Sequence, residues 1–408
     1  MTGTAATDLP MFPPDDRPWG PFEILRDEDR KRWESAPVSR VRLPTDGWAW
    51  LLTRHADIRQ LLRSPDVSSD ATRPGFPLLR PLPPPEEQDR RGAFIGMDGA
   101  EHARFRRMLT AEFMVRNIRR IEPLIRQTVV DALDAMRDAG SPADLVTSFA
   151  LPVPSMVICH LLGVPYTDHD FFQSRSRTLL DRTAPLDDVR SAADELRDYV
   201  RNLVEVKLAA VEPGDDLLSR LANERVATGE LEVEELVGVA LLLLVAGHET
   251  TANMIGLSTL LLLQHPEQFA ALRDRPDLAD DLVEELLRYL TVIRTGLLRV
   301  AVRDIEIGGQ LIRAGEGVIA MLSLANRDPD VFTDPEGFGL SPAAHQHLAF
   351  GFGVHQCIGQ PLARAELRIA LVELAHRFPR LALAVDPADV PVRGTSVVYG
   401  VAELPVTW

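Results

Sequence analysis

The chain has 408 residues, of which 45% are hydrophobic and 25% charged, a composition that excludes disorder as its main state. Its 44 Lys and Arg against 60 Asp and Glu give a formal net charge of −16, which argues against nucleic-acid binding through a broadly basic surface and against a polybasic membrane anchor. The two cysteines, Cys159 and Cys357, are too few for a disulfide framework, so we expect a reducing, cytoplasmic compartment.

The predicted elements begin with a proline-punctuated N-terminal arm at 1–20, which lacks the apolar run of a signal peptide, and a single domain is expected at 21–408. Short alternating apolar runs at 38–63 predict a small sheet region, and the prolines at 74–87 predict a loop. The segment that starts at Asp98 resembles a capping box and is expected to begin a basic helix.

The middle of the chain has the pattern of helices separated by Gly and Pro. Its most apolar stretch, Val237 to Leu263, is long enough to cross a bilayer, but His248, Glu249 and Asn253 lie at its centre, where polar groups are costly in lipid. We therefore expect a buried helix with a polar interruption.

The last part of the chain contains strand-like segments from Val300 to Ile307, from Val318 to Leu322 and from Val397 to Val406, and then a closing helix from about Ile358 to Phe378. No βαβ repeat is present, so the sequence predicts a mainly α fold with small β-sheets.

The most informative segment is FGFGVHQCIG, which runs from Phe350 to Gly359. Its glycines allow tight turns and a close approach of backbone to a flat ligand. Cys357 comes just before the closing helix, where the helix dipole and unpaired amides stabilise a thiolate. A thiolate in that position suits an axial ligand of heme iron. The alternative is a buried cysteine in a glycine-rich turn.

This segment resembles the heme-binding signature of cytochrome P450 enzymes and matches it at each fixed position: Phe350, Gly351, Gly353, His355, Cys357 and Gly359. The resemblance covers nearly the whole chain and implies the cytochrome P450 fold, a triangular helical prism with heme between the long central helix and the cysteine-loop helix. It implies heme b (iron protoporphyrin IX) as cofactor, with Cys357 as the iron ligand.

A second resembling segment is AGHETT at 246–251. Taken alone, its threonines and carboxylate could hydrogen-bond back to helix carbonyls. In the family that it resembles, this helix crosses the distal heme face, where the small residues Ala246 and Gly247 would leave room for dioxygen. Thr250 would hydrogen-bond to the bound oxygen and Glu249 would relay protons, because the reaction needs protons delivered to a buried site.

A third motif is the pair Glu285 and Arg288, which alone could be a weak surface pair. In the resembling family this pair is buried and is braced by a third arginine from a later loop. That arginine position aligns here with Pro342, and our hypothesis is that His345 substitutes for it as a donor.

Heme propionates are buried carboxylates that need cationic partners. His102 and Arg106 have the family's spacing for this contact and share one helix face, and Arg299 and His355 would complete the clamp. The alternative for the first two is a solvated basic face.

The resemblance also implies an electron supply from NAD(P)H through a reductase and a ferredoxin. An acidic ferredoxin would dock on a proximal basic patch. The alternative is ordinary surface charge. The patch would consist of Arg104, Arg107, Arg364 and Arg368.

Substrate-contacting positions are expected on the apolar helix, after the Glu285–Arg288 helix and near the C-terminus: Leu242, Val245, Ala246, Ile293, Arg294 and Val398, with the loop at 75–95. Arg294 would either meet a carboxylate- or sugar-bearing substrate or lie at the pocket rim.

The implied activity is that of a monooxygenase, which inserts one oxygen atom from O2 into a C–H bond (hydroxylation) or an alkene (epoxidation) of a small hydrophobic molecule, a secondary metabolite or xenobiotic. One alternative is a heme-thiolate peroxygenase or reductase, which would not need the Glu249–Thr250 relay. Another is a non-catalytic heme sensor, which would need an output domain. We expect a monomer that binds neither nucleic acid nor membrane.

Overall fold

The computed structural model describes residues 9–13, 22–23, 27–212 and 214–408. Most of the predicted N-terminal arm lies outside these residues, but its Phe12 is fully buried and packs on Trp33, with ring centroids 6.5 Å apart. The prediction of one domain at 21–408 stays a prediction. The chain divides into two compact units: a sheet unit (Met1–Pro85, Ile95–Ala103 and Asp280–Ile358) and a helical unit (Glu86–Phe94, Arg104–Ala279 and Gly359–Trp408).

Helices account for most of the described chain, as predicted. The α-helices are α1 (Asp27–Ser35), α2 (His55–Arg63), α3 (Gly99–Thr110), α4 (Val115–Ala139), α5 (Pro152–Leu162), α6 (His169–Leu180), α7 (Leu186–Ala209), α8 (Leu217–Leu221), α9 (Val233–Gln264), α10 (Pro266–Asp274), α11 (Ala279–Leu290), α12 (Leu322–Ala325) and α13 (Gln360–Arg377).

The strands are short. They are β1 (Val38–Arg42), β2 (Trp48–Leu52), β3 (Val67–Ser68), β4 (Ala143–Asp144), β5 (Leu297–Ala301), β6 (Ile305–Ile307), β7 (Gln310–Ile312), β8 (Gly317–Ala320), β9 (Ala382–Leu383) and β10 (Pro405–Thr407).

The sheet unit is built on a five-stranded sheet of order β1-β2-β8-β5-β3, in which only the β2–β8 pair is parallel. Its inner strand β2 is apolar at all five positions because both of its faces are covered. Trp50 and Leu52 face one hydrophobic cluster and Ala49 and Leu51 the other, as the two-residue period of a strand requires. Strand β5, on the other side of the central strand β8, carries Arg299 opposite Val318.

The helical unit is organised around α9, which packs against α5, α7 and α13. A capping box between Glu232 and Glu235 begins this helix. Among the described residues it is the one helix long and apolar enough to cross a membrane, but 61% of its most apolar window is buried inside the protein. The prediction of a buried helix with a polar interruption is confirmed, since His248, Glu249 and Asn253 are all buried within it.

Two local predictions need correction. The predicted strand from Val397 to Val406 is a strand only at β10. Before β10, residues 391–402 form a narrow loop, which we call the C-terminal hairpin, closed by a single bridge between Val392 and Val401. The capping box at Asp98 is also wrong, because that carboxylate accepts hydrogen bonds from Ser68 and Ser69 across the loop.

Candidate functional site

The cysteine loop at the end of the sheet unit presents the Cys357 side chain to solvent. The Cys357 amide donates to the Phe350 carbonyl at 2.9 Å, which closes the loop on itself. Gly351 and Gly353 have φ of +71° and +74°, and a Cβ on Gly353 would stand 2.2 Å from the Leu62 carbonyl oxygen. Only glycine fits there, so the motif's glycine is required by the fold of this loop.

Two imidazoles lie beside this loop. The rings of His102 and His355 have centroids 4.0 Å apart. His355 Nε2 lies 3.1 Å from Ser69 Oγ and 3.8 Å from Asp98 Oδ1. Burial favours the neutral form of Asp98, but hydrogen bonds from His355, Ser68 and Ser69 outweigh it and hold the pKa of that carboxyl well below its usual range.

Arg299 is a buried cation in the same unit, with 9% of its surface exposed. Its NH1 donates to the adjacent Leu298 carbonyl at 2.7 Å, and no carboxylate of the described residues forms an ion pair with it. Burial lowers the pKa of Arg299 to about 10, and the charge of Asp98 offsets this only in part.

The donor set of the sheet unit therefore fits a heme. A buried guanidinium without a paired anion is costly, and a carboxylate of the ligand would pair with Arg299. The accessible thiol of Cys357 supplies a group that can ligate iron. Arg106, the fourth expected propionate contact, is half-buried on the part of α3 that belongs to the helical unit, and Gly359 directly precedes α13.

The centre of α9 has one accessible face. Ala246 is exposed, Leu242, Val245 and Thr250 are half-buried, and every residue from 251 to 262 is buried. These four residues lie on one side because positions four apart stack along a helix. Gly247, on the neighbouring side, faces Ile158 of α5, whose Cδ1 would lie 2.7 Å from an added Cβ.

The two predicted relay residues follow that face. Thr250 Oγ1 donates to the Ala246 carbonyl at 3.0 Å, the back-bond that was the alternative interpretation of this motif. Glu249 is buried, and its Oε2 accepts from Arg393 NH1 at 3.2 Å. Arg393 was missed by the sequence analysis, since it lies 144 residues away in no recognisable motif.

His248 is a packing residue. Its ring is fully buried, meets Phe172 edge-on with centroids 5.4 Å apart, and places Nδ1 2.6 Å from the Leu244 carbonyl. Burial lowers the pKa of His248, so the neutral imidazole is favoured.

The Glu285–Arg288 pair is buried, and its two hydrogen bonds are both 2.7 Å long. The remaining Arg288 donors go to the carbonyls of Asn326, Pro335 and Gly337. On the other side of the pair, the Gly339 amide donates to Glu285 Oε1 at 3.2 Å, so backbone groups complete the hydrogen bonding of both residues.

The hypothesis that His345 braces this pair is therefore wrong. His345 is exposed, and its Nε2 lies 2.9 Å from Asp281 Oδ1. Its ring faces the side of α11 that carries Asp281 and Glu284, with Nδ1 4.0 Å from Glu284 Oε2.

The predicted pocket positions outside α9 are less accessible. Ile293 is half-buried and Val398 is 3% exposed. Arg294 is also 3% exposed, and its NH1 donates to the Glu23 carbonyl at 2.9 Å. The Arg294 guanidinium therefore meets the backbone of residue 23, and its place relative to a substrate pocket stays a prediction.

Two of the four predicted patch arginines are engaged in ion pairs, Arg104 with Glu235 and Arg368 with Glu122. Arg107 is exposed, and Arg364 donates to Gln360 on its own helix.

The sequence analysis missed two further arginines of the sheet unit. Arg59 and Arg63 of α2 stack on Phe352 of the cysteine loop at 4.5 and 4.6 Å, beside the exposed Val354.

Comparison with known proteins places these observations in a family. Residues 80–393 match the family model described as Cytochrome P450. The chain is 47% identical to cytochrome P450-SU2 of Streptomyces griseolus, over 99% of this chain and 98% of that protein. It is also 47% identical to pentalenic acid synthase of Streptomyces avermitilis, over 100% of this chain and 99% of that protein.

Among solved structures, the chain resembles the mycinamicin VIII C21 methyl hydroxylase MycCI of Micromonospora griseorubida, bound to mycinamicin VIII. The TM-score is 0.90 at 38% identity, over 98% of this chain and 100% of that chain.

Proposed function

This chain belongs to the cytochrome P450 family and is a heme-thiolate monooxygenase, and we propose that it hydroxylates or epoxidises a hydrophobic secondary metabolite or xenobiotic. The observation that carries the proposal is the accessible apolar face of α9, where Leu242, Val245 and Ala246 precede the relay pair. Its relatives include a synthase of pentalenic acid and a methyl hydroxylase bound to mycinamicin VIII, which supports a natural product as substrate.

When bound, the heme supplies the activation of dioxygen, so that one oxygen atom can be transferred to carbon. Cys357 would ligate its iron and donate electron density through the thiolate. His102, Arg299 and His355 of the sheet unit would bind the propionates, because the two imidazole rings lie together and Arg299 is a buried cation. The resemblance assigns the same role to Arg106 of the helical unit. Phe350, Gly351, Gly353 and Gly359 would shape the loop around the sulfur.

Proton delivery would fall to Glu249 and Thr250. Thr250 now donates to the Ala246 carbonyl, and rotation of its hydroxyl would let the same oxygen hydrogen-bond to an oxygen in the space beside Ala246. Glu249, the adjacent acid, would exchange protons with water. This pair is also what favours a monooxygenase over a peroxide-driven enzyme, since the latter does not need such a relay.

Electrons would come from NAD(P)H through a reductase and a ferredoxin. In the helical unit, Arg107 and Arg364 would attract an acidic donor. In the sheet unit, Arg59 and Arg63, which stack on Phe352 of the cysteine loop, would add positive charge. We also propose a cytoplasmic monomer that binds neither nucleic acid nor membrane, in keeping with the net charge of −16.

An optical titration of the purified ferric protein tests the proposal. Macrolides, aromatic polyketides, peptides and steroids are added in turn, and the intense heme band is followed. A shift to high spin with one class identifies the substrate family, because water leaves the iron as the ligand enters. A protein that shows no heme band after heme is supplied would contradict the assignment, and turnover with peroxide but not with ferredoxin and NAD(P)H would favour the peroxygenase.

A further inference from the structure

The C-terminal hairpin holds Arg393 in place through its backbone. The Arg393 amide donates to the Gly400 carbonyl at 2.8 Å, across the hairpin. The Val397 amide donates to the Leu180 carbonyl at 2.8 Å, which fixes the hairpin to the end of α6. The backbone position of Arg393 therefore does not depend on its side-chain interactions.

The Arg393 side chain reaches across to α9. Its NH1 lies 3.2 Å from Glu249 Oε2, and the side chains of Arg393 and Glu249 are 20% and 3% exposed. Asn253 Nδ2 donates to the Glu249 carbonyl at 2.7 Å and lies 3.4 Å from Oε2. An ion pair withdrawn from solvent is screened less than a surface pair. These interactions therefore restrict the Glu249 carboxylate to one orientation.

The second oxygen of that carboxylate is uncommitted. Oε1 of Glu249 is buried and has no hydrogen-bond partner among the described residues. The imidazole of His248 comes to 3.9 Å from it, and burial lowers the pKa of that ring, so it is not a competing acid. A buried acceptor without a partner is costly, and a water molecule would satisfy it.

We propose that Arg393 is a positioning residue, which binds Oε2 of Glu249 and thereby keeps Oε1 open to exchange protons with water. Only protons move in this step: Oε1 accepts a proton from hydronium in that water and returns it to another water molecule, so the carboxylate is regenerated. Arg393 acts through Glu249. The inference rests on the proposed monooxygenase function. It adds that the C-terminal hairpin, through Arg393, controls how much product is formed per pair of electrons.

The test compares Arg393→Lys, Arg393→Gln, Glu249→Gln and the Arg393→Gln/Glu249→Gln double variant in the heme-loaded protein. Product and hydrogen peroxide are measured per NAD(P)H consumed, with a reductase, a ferredoxin and the panel compound that shifts the heme band most. Glu249→Gln is expected to lower product formation about 100-fold and Arg393→Gln about tenfold, with peroxide rising in both. Arg393→Lys should stay close to the unmodified protein, and the double variant should be no worse than Glu249→Gln alone.

A second readout does not use turnover. In thermal unfolding of the substrate-free protein, the loss in Tm of the double variant should be smaller than the sum of the two single losses, because each substitution removes the same contact. Lys207→Gln is the matched control, since it breaks a similarly buried ion pair with Asp216 at 2.9 Å. It should lower Tm and leave the product-to-peroxide ratio unchanged.

The positioning role would be overturned if the double variant lost product by the two single-variant factors multiplied together. It would also be overturned if Arg393→Gln formed as much product per NAD(P)H as the unmodified protein. Additive Tm losses would show that the two side chains do not interact. If the unmodified protein binds no heme or forms no product, the proposed function fails instead, and the two failures are thereby distinguished.

Discussion

Glu366 of α13 lies beside Thr251 of α9, and both of its carboxyl oxygens are buried. Only 1% of Glu366 is exposed. Burial raises the pKa of Glu366 well above its usual range, and the Thr251 hydroxyl lowers it only in part. The helix that begins after the cysteine loop thus contains a buried carboxyl group whose neutral form is favoured.

Glu366→Gln is expected to stabilise the protein more as the pH rises. Above about pH 4.3 the unfolded chain loses this proton whereas the folded chain keeps it, so the unmodified protein loses stability with increasing pH and the amide does not. The difference in free energy of unfolding should grow by up to about 1.4 kcal/mol per pH unit. Denaturant titrations at about pH 6, 7 and 8 measure it. A difference that does not change with pH would mean that Glu366 is ionised in the fold.

Arg299→Met is expected to act in opposite directions on the heme-free and heme-loaded protein. Without heme, Arg299 is a buried cation that forms no ion pair with the described residues, and its replacement by an apolar side chain should raise Tm. With heme, the lost propionate contact should lower Tm and speed heme transfer to apomyoglobin. Arg299→Lys, which keeps the charge, should retain most of the heme. Equal Tm shifts in both forms would contradict a propionate contact.

Arg288→Met is expected to cost about 3–5 kcal/mol, because it leaves the buried Glu285 carboxylate without its partner. His345→Ala is the comparison and should cost less than about 1 kcal/mol, since its contact with Asp281 is exposed. Both are measured by denaturant unfolding with heme retention recorded in parallel. A large loss in His345→Ala would restore that residue as part of the brace.

Thr250→Ala is expected to lower product formation while leaving the free energy of unfolding nearly unchanged. It removes a hydroxyl whose only hydrogen bond among the described residues goes back to its own helix, so the free energy of unfolding should change by less than about 1 kcal/mol. Product per NAD(P)H should fall at least about tenfold, with peroxide increasing in its place. Thr250→Ser keeps the hydroxyl and should form as much product per NAD(P)H as the unmodified protein. The substrate Kd from the optical titration should be unchanged in both variants.

The features of this protein that could be predicted are those encoded by residues close together in the sequence. Cys357 was assigned as the iron ligand from a contiguous segment and stays a prediction, whereas the buried α9, predicted from a run of apolar residues with a polar interruption, is confirmed. The Glu249–Arg393 pair could not be found in this way, because its members are 144 residues apart and neither the hairpin nor its arginine has a periodic pattern.

The same limit explains the errors. His345 was close in sequence to the position of a missing arginine, but carbonyl groups of the backbone satisfy Arg288, and a sequence does not show which carbonyl groups a side chain will meet. The contact between Arg294 and the carbonyl of Glu23 could not be predicted either, because Glu23 comes from the other end of the chain.

The accessible face of α9 begins near Leu242 and ends at Thr250, where the helix becomes buried again. At 1.5 Å per residue these eight steps measure roughly 12 Å along the axis. A ligand that lies along the helix can contact this face over no more than that length. We therefore expect a bulky natural product to touch α9 with only part of its surface, and the part that fits to decide which of its carbons is oxidised.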